Sequence, residues 1–275
     1  MFFVRNLLSS WYKYWDLTKR SFIMNITYRS EVVLWFFLDL LPIVVLMFVW
    51  VSVYQGTEQI SGYNLSQILQ YYFLVMIVNA VTSHHFEQYR VKQIREGKID
   101  FYLTRPLTYL SELAWSAFGG KIFYIMVSVA LAGFSALVLQ AFFPISFPAL
   151  NLVAGLQLLA LLIGGYLIEY FIALSIVLLG FWFENAEGLE HFKWIGVTLF
   201  SGQLIPISFM PEWMRSITLA LPLKFVSALP IGVAQGTVSI FAVDWLYMVS
   251  FILVLWLSTF LLWRSARFKY SSAGG

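Results

Sequence analysis

The sequence offers few residue types that could do chemistry, and the first are two adjacent histidines, His84 and His85. Imidazoles bind a metal ion or transfer a proton when they converge on one point, but neighbouring residues on a helix point to different faces. Neither histidine belongs to a His-Glu-x-x-His motif, and neither does the third, His191. The pair is more typical of a polar boundary at the end of a membrane span than of a metal or acyl-transfer site.

Three acids at three-residue spacing, Glu184, Glu187 and Glu190, precede His191. This spacing could place carboxylates on one side of a helix, where they would bind a metal ion. The pattern is more typical of a solvated connector between two membrane segments.

Gly119, Gly120 and Lys121 resemble the end of a phosphate-binding loop. However, Trp115 stands where that motif needs its first glycine, and Ile122 stands where it needs Ser or Thr. We therefore predict no nucleotide site here, so any ATP that drives this protein must bind another chain. The glycines are expected to permit close helix packing, and Lys121 is expected to extend towards the membrane interface.

Two acids, Asp39 and Glu169, lie inside apolar segments. A carboxylate at membrane depth lines a pathway or pairs with a polar group of a neighbouring helix. Both interpretations stay open for Glu169, whereas the inter-helix pair is favoured for Asp39. The chain has no cysteine, which excludes disulfides, thiolate catalysis and cysteine-bound metals.

These residues belong to a strongly apolar chain. Its 275 residues are 60% hydrophobic, 19% aromatic and only 11% charged, and the mean hydropathy is +0.79. Such a chain cannot cover a water-soluble surface, so its apolar surplus must face lipid. We predict one all-α integral membrane domain over residues 1–275, with six transmembrane helices.

The predicted spans follow the apolar segments. Residues 1–30 contain an amphipathic helix, at 7–22, that would lie on the membrane surface. Residues 206–236 hold four of the eight prolines and are expected to form external half-helices that enter the membrane and return. The spans are expected at 32–54, 67–83, 121–140, 150–183, 192–205 (short for a crossing) and 243–263.

Basic residues predict the orientation. Five lie in residues 1–30, five in residues 84–110 and three in the carboxyl tail, while the loops after the first and third spans have none. Because Lys and Arg are retained on the cytoplasmic side, both termini and residues 84–110 are expected to face the cytoplasm.

The polar stretch 84–110 is where a soluble partner would dock. A short helix over residues 86–96 would make Phe86, Tyr89, Ile94 and the stem of Arg90 available to that partner. Gly97 can adopt the left-handed conformation that ends such a helix.

The rest of this stretch is expected to form a turn, which Asp100 caps and Pro106 stops. Arg95, Lys98 and Arg105 would donate to carboxylates on a partner or within this chain. Membrane topology and lipid phosphates would also use such charges, but they need no fixed glycine or proline between them.

This layout resembles the membrane subunit of type-2 ABC exporters, which has an elbow helix, a cytoplasmic coupling helix, a short fifth span and external half-helices. The most specific likeness is local. Residues 95–106, REGKIDFYLTRP, resemble the R-x-G-x-(hydrophobic)-D-x-x-L-x-R-P signature of one bacterial branch. Residues 205–222 and Pro230 resemble the carboxyl-terminal pattern of the same branch.

The resemblance implies an export permease in the bacterial cytoplasmic membrane that pairs with an identical or sister permease. ATP-binding subunits would hold ATP and magnesium, and this chain would have no catalytic site, no cofactor and no nucleic-acid partner. The alternative is a secondary transporter or channel without an ATPase, with Glu169 coupling ions. The residues expected to couple to the ATPase are Phe86, Tyr89, Arg90, Ile94, Arg95, Gly97, Asp100, Arg105 and Pro106.

Overall fold

The computed structural model describes residues 2–100, 108–140, 150–183 and 186–269. Within these ranges the chain forms helices and no strand. The helices are α1 (Phe2–Thr27), α2 (Arg29–Val53), α3 (Leu65–Thr82), α4 (Glu87–Arg95), α5 (Tyr109–Gln140), α6 (Leu152–Leu179), α7 (Glu187–Phe200), α8 (Glu212–Ala220), α9 (Ala228–Ala234) and α10 (Ala242–Lys269). Two 3-10 turns, Ile207–Phe209 and Pro222–Phe225, flank α8.

The length and composition of the helices confirm an all-α membrane protein. Five stretches are long and apolar enough to cross a membrane: α2, the segment Leu65–Arg95 that contains α3 and α4, Tyr109–Leu137 of α5, α6 and α10. A sixth crossing exists if α8 and the following segment Pro222–Ala234, which meet at 76°, form one broken span. The 14 residues of α7 extend only about 21 Å, so α7 does not cross alone.

The helix bounds differ from the predicted spans at α1 and α5, and also at α7, which begins and ends five residues early, and at α10, which ends six residues late. The helices α2, α3 and α6 begin and end within four residues of the predicted spans. The third span, predicted to begin at Lys121, instead belongs to α5, which begins at Tyr109. Lys121 suggested a polar boundary, but its side chain is buried in protein contacts. The predicted surface helix 7–22 lies within α1, which only Tyr28 separates from α2.

The helices α3 and α6 form the centre of the molecule. In the most apolar stretch of each helix, 67% of α3 and 61% of α6 is buried inside the protein. The corresponding share is 11% in both α5 and α10. α3 packs against α2, α5 and α6, and α6 packs against α9 and α10. Large apolar side chains remain exposed on the outer helices, among them Leu41, Phe48, Leu246 and Val254. This distribution suits a bundle whose outer surface faces lipid.

Gly119 and Gly120, which resemble part of a phosphate-binding loop in the sequence, lie where α1 packs along α5. A Cβ at Gly119 would overlap the carbonyl oxygen of Thr18. The Thr18 hydroxyl donates to the carbonyl oxygen of Trp115 at 3.3 Å, and the Ser21 hydroxyl donates to that of Ser116 at 2.7 Å. Gly119 therefore permits a close helix approach, as the sequence predicts.

We expect Gly119→Ala to lower the melting temperature of the protein in detergent. The added methyl group has to push α1 away from α5, and such overpacking costs about 1–3 kcal/mol. Gly133→Ala is the matched control, because it lies in the same helix and its Cβ would have no atom within 4 Å. Equal melting temperatures for the two variants would contradict the packing role.

Candidate functional site

The short helix α4 ends at a glycine, as the sequence predicts. Gly97 has a φ of +70°, a conformation that costs other residues about 1–2 kcal/mol. Its N–H donates to the carbonyl oxygen of Ile94 at 3.1 Å, and the N–H of Lys98 donates to that of Gln93 at 3.0 Å. These two bonds form a Schellman motif, which satisfies carbonyl groups that the end of the helix leaves open. Asp100 follows, but the turn that it was expected to cap, together with Arg105 and Pro106, lies outside the described residues.

The helix α4 has one buried face and one exposed face. Its outward residues are Gln88, Tyr89, Lys92, Arg95 and the adjoining Glu96. Its inward residues are Glu87, Arg90, Val91, Gln93 and Ile94. The structure thus corrects the expectation that Ile94 and the stem of Arg90 are available to a partner, because both are buried in the protein.

The inward apolar residues attach α4 to the bundle. Ile94 belongs to a buried cluster with Leu174, Val177 and Leu178 of α6. Phe86, which is half-buried, packs against Tyr170 with ring centroids 5.8 Å apart. These contacts anchor both ends of α4 on the same helix.

Arg90 connects α4 to α5. Its guanidinium lies 3.3 Å from the carboxylate of Glu112, and it donates to the hydroxyl of Ser116 at 2.8 Å. It also donates to the side-chain oxygen of Gln93 at 3.1 Å. Because Arg90 and Glu112 are both buried, this pair is shielded from solvent and holds the two helices in a fixed register.

Lys193 of α7 connects α4 to α6. Its ammonium donates to the carboxylate of Glu87 and lies 3.4 Å from that of Glu169. It also donates to the carbonyl oxygen of His84, whose N–H donates to Glu169 at 3.3 Å. The three charged side chains are 0–3% exposed. One lysine thus joins α7 to α4, to α6 and to the segment between α3 and α4.

The sequence analysis missed most of this network. Lys193 lies in the predicted fifth span. A charged residue in an apolar segment indicates a buried partner, so the sequence did carry a signal for this residue. Glu87 and Glu112 gave no local signal, since Glu87 lies in the polar stretch 84–110 and Glu112 directly follows it. Glu169 forms an inter-helix pair, one of its two open interpretations. Asp39 lies in α2, and its side chain is outside the described part of the structure.

The polar residues at the end of α3 are more buried than expected. Lys121 of α5 contacts the end of α3, since its ammonium donates to the carbonyl oxygen of Ser83, and the residue is only 9% exposed. His84 is buried, and its ring lies 4.6 Å from that of Tyr166. Both side chains therefore help to hold the segment between α3 and α4.

No group of three or more His, Asp or Glu residues that could hold a metal ion occurs in the described ranges. Glu190 and His191 lie in the first turns of α7, whereas Glu184 is outside those ranges.

At the outer end of α4, Lys98 donates to a carboxylate of its own chain, with its ammonium 2.6 Å from Glu96. This hydrogen bond lowers the pKa of the Glu96 carboxyl group.

Replacement of Lys193 by Met should destabilise the protein by about 3–5 kcal/mol, because it leaves Glu87 and Glu169 buried without their cation. Changing both acids to Gln in the same chain should restore much of the loss. Thermal unfolding in detergent measures both effects. Lys98→Met, at an exposed lysine, is the control and should unfold as the wild type does. A Lys193→Met protein with unchanged stability would show that the ammonium is not required.

A family model described as ABC-2 family transporter protein matches residues 40–274. The match begins in α2 and covers every later helix, including α4 and the helices that hold it. No curated protein and no solved structure matches the chain. The matched family and the apolar helices agree with the resemblance seen in the sequence. The chain is a member of the ABC-2 family of transporter proteins, with a multi-pass membrane fold.

Proposed function

We propose that this chain is the permease subunit of an ATP-driven exporter and that α4 is the helix through which ATP-binding subunits drive it. Family membership supports a transport role in the membrane. The observation that carries the proposal is the two-faced construction of α4, which is exposed on one side and held to three helices by buried contacts on the other. ATP and magnesium would bind to the partner chains.

The proposed orientation places α4 in the cytoplasm. Five basic residues lie in residues 84–110 and five in residues 1–30, and such residues are retained on the cytoplasmic side. The outward face of α4 would then meet a cytoplasmic ATP-binding subunit in the inner membrane of a bacterium. Tyr89, 58% exposed, offers that subunit an aromatic side chain, and Arg95 a guanidinium that can bind carboxylates.

The buried contacts of α4 would carry motion into the bundle. Lys193 and Glu87 hold α4 to α7, and Ile94 holds it to α6. Arg90 and Glu112 hold it to α5. Because packed interiors have low compressibility, a displacement of α4 would move these three helices with it rather than be absorbed locally. A second permease subunit, identical or related, would complete the pathway.

The contacts of Glu169 do not favour the alternative of an ion-coupled carrier. Its carboxylate pairs with Lys193 and accepts the N–H of His84. These contacts explain why an acid is buried at this position, because its carboxylate links neighbouring helices.

The first test of the proposal reverses a charge on the outward face of α4. Arg95→Glu should reduce co-purification with the ATP-binding subunit encoded in the genomic neighbourhood by about tenfold, since it repels the carboxylates that Arg95 is proposed to bind. Lys13→Glu is the matched control, because it makes the same charge change at an exposed site of α1. An equal loss in both variants would indicate a topology effect and contradict docking at α4.

The second test changes the backbone at the end of α4. Gly97→Ala should lower the ATPase rate of the assembled complex, because the strained turn shifts the exposed face of α4. Gly62→Ala is the matched control, since Gly62 has a φ of +84° and its Cβ would meet no atom within 4 Å. Both variants should lose about 1–2 kcal/mol of stability. An ATPase rate lowered equally in both, or in neither, would contradict the coupling role.

A further inference from the structure

A cleft of about 580 Å³ lies between α1 and α5 and reaches the buried segment that joins α3 to α4. We call it the α1–α5 cleft. One wall is α1, through Leu17, Arg20, Ser21, Met24 and Asn25, and the opposite wall is α5, from Glu112 to Tyr124. Its inner end is formed by Ser83, His84, His85 and Phe86.

His84 lines the inner end of the cleft and has an unsatisfied, buried polar atom. The side chain is 5% exposed, and its Nε2 atom has no hydrogen-bond partner among the described residues. Buried polar atoms in proteins are almost always hydrogen-bonded, so an exception indicates a missing partner. An imidazole nitrogen can donate to a phosphate oxygen or accept from a hydroxyl group.

Cations outnumber acids among the side chains that line the cleft. Arg20, Arg90 and Lys121 line it, with Glu112 as the one acid among its lining residues. Glu112 pairs with Arg90, and Arg20 at the rim pairs with Asp16. The pair on Arg20 is open to water, with 72% of the Arg20 side chain exposed, so it is worth little and an incoming anion can replace it.

The cleft is amphipathic, so its lining suits a lipid better than a soluble anion. The apolar side chains of Leu17, Met24 and Leu113 line it beside the cations. On the same helix α1, Tyr12 and Trp15 are 77% and 61% exposed, and amphipathic rings of this kind collect at the level of lipid headgroups. A ligand that has a phosphate next to an acyl chain matches both surfaces.

We propose that the α1–α5 cleft binds an anionic phospholipid, with its phosphate near Arg20 at the rim and its headgroup at the inner end of the cleft, beside Lys121 and His84. The acyl chains would leave the cleft along the apolar surface of α1. The cleft borders α4 through Tyr89 and Arg90, but lipid binding by this chain alone is measured without an ATP-binding subunit, so its outcome does not depend on docking at α4.

Native mass spectrometry of the full-length chain in detergent tests this proposal. The protein is titrated with phosphatidylglycerol and with phosphatidylcholine. Wild-type protein should retain phosphatidylglycerol preferentially, and Arg20→Gln should weaken that binding about fivefold, as expected for one basic residue near a lipid phosphate. Lys19→Gln is the matched control, since Lys19 is an exposed neighbour on α1 that does not line the cleft. It should bind as the wild type does.

A second variant keeps all the charges. His84→Phe preserves the ring contacts with Tyr166 and Tyr170 but removes the Nε2 atom, and it should also weaken retention of phosphatidylglycerol. Three results would each overturn the proposal. They are equal retention of the two lipids, an equal loss in Lys19→Gln and Arg20→Gln, and displacement of the lipid by an equal concentration of soluble glycerol phosphate.

Discussion

Lys193 is a cation enclosed by protein in a chain built for lipid, and the arrangement around it depends on that charge. Moving an ammonium and two carboxylates out of water costs several kcal/mol for each ion, which close pairing must offset. Glu87 and Glu169 supply the pairing from two different helices, and the carbonyl oxygen of His84 adds a further acceptor. Because the ions would be costly to separate in this environment, α4, α6 and α7 are constrained to stay together at this end of the bundle.

The apolar helices exclude water around these charges, which strengthens the attraction between them. In α3 and α6, at the centre of the molecule, most of the apolar stretch is buried, whereas only 11% of that stretch is buried in α5 and in α10. Burial of the polar links at one end of this bundle lowers the local dielectric, which strengthens a satisfied link and makes an incomplete one costly. The pair of Arg90 with Glu112 follows the same logic on the same buried face of α4. The buried face of the short helix is consequently held by two charge pairs and by the packing of Ile94.

The segment from Ser83 to Phe86 serves two neighbouring regions of the molecule. Its backbone carbonyl groups accept from Lys121 and Lys193, while the imidazole of His84 lines the α1–α5 cleft. The proposed lipid site and the proposed docking helix therefore share a wall. A ligand in the cleft would act on the same buried segment that orients the start of α4, and this gives the membrane a physical route to influence coupling.

The sequence by itself determined the membrane class, the approximate spans α2, α3 and α6, the end of α4 at Gly97 and the family. These features follow from composition, from runs of apolar residues and from the backbone freedom of one glycine, all of which are local. Only the tertiary structure decided which face of α4 is buried, where α5 begins, and that Lys193 pairs with Glu87 and Glu169. Glu87 and Lys193 are 106 residues apart in the chain, so no local pattern joins them. Their attraction exists only after packing has removed water from both.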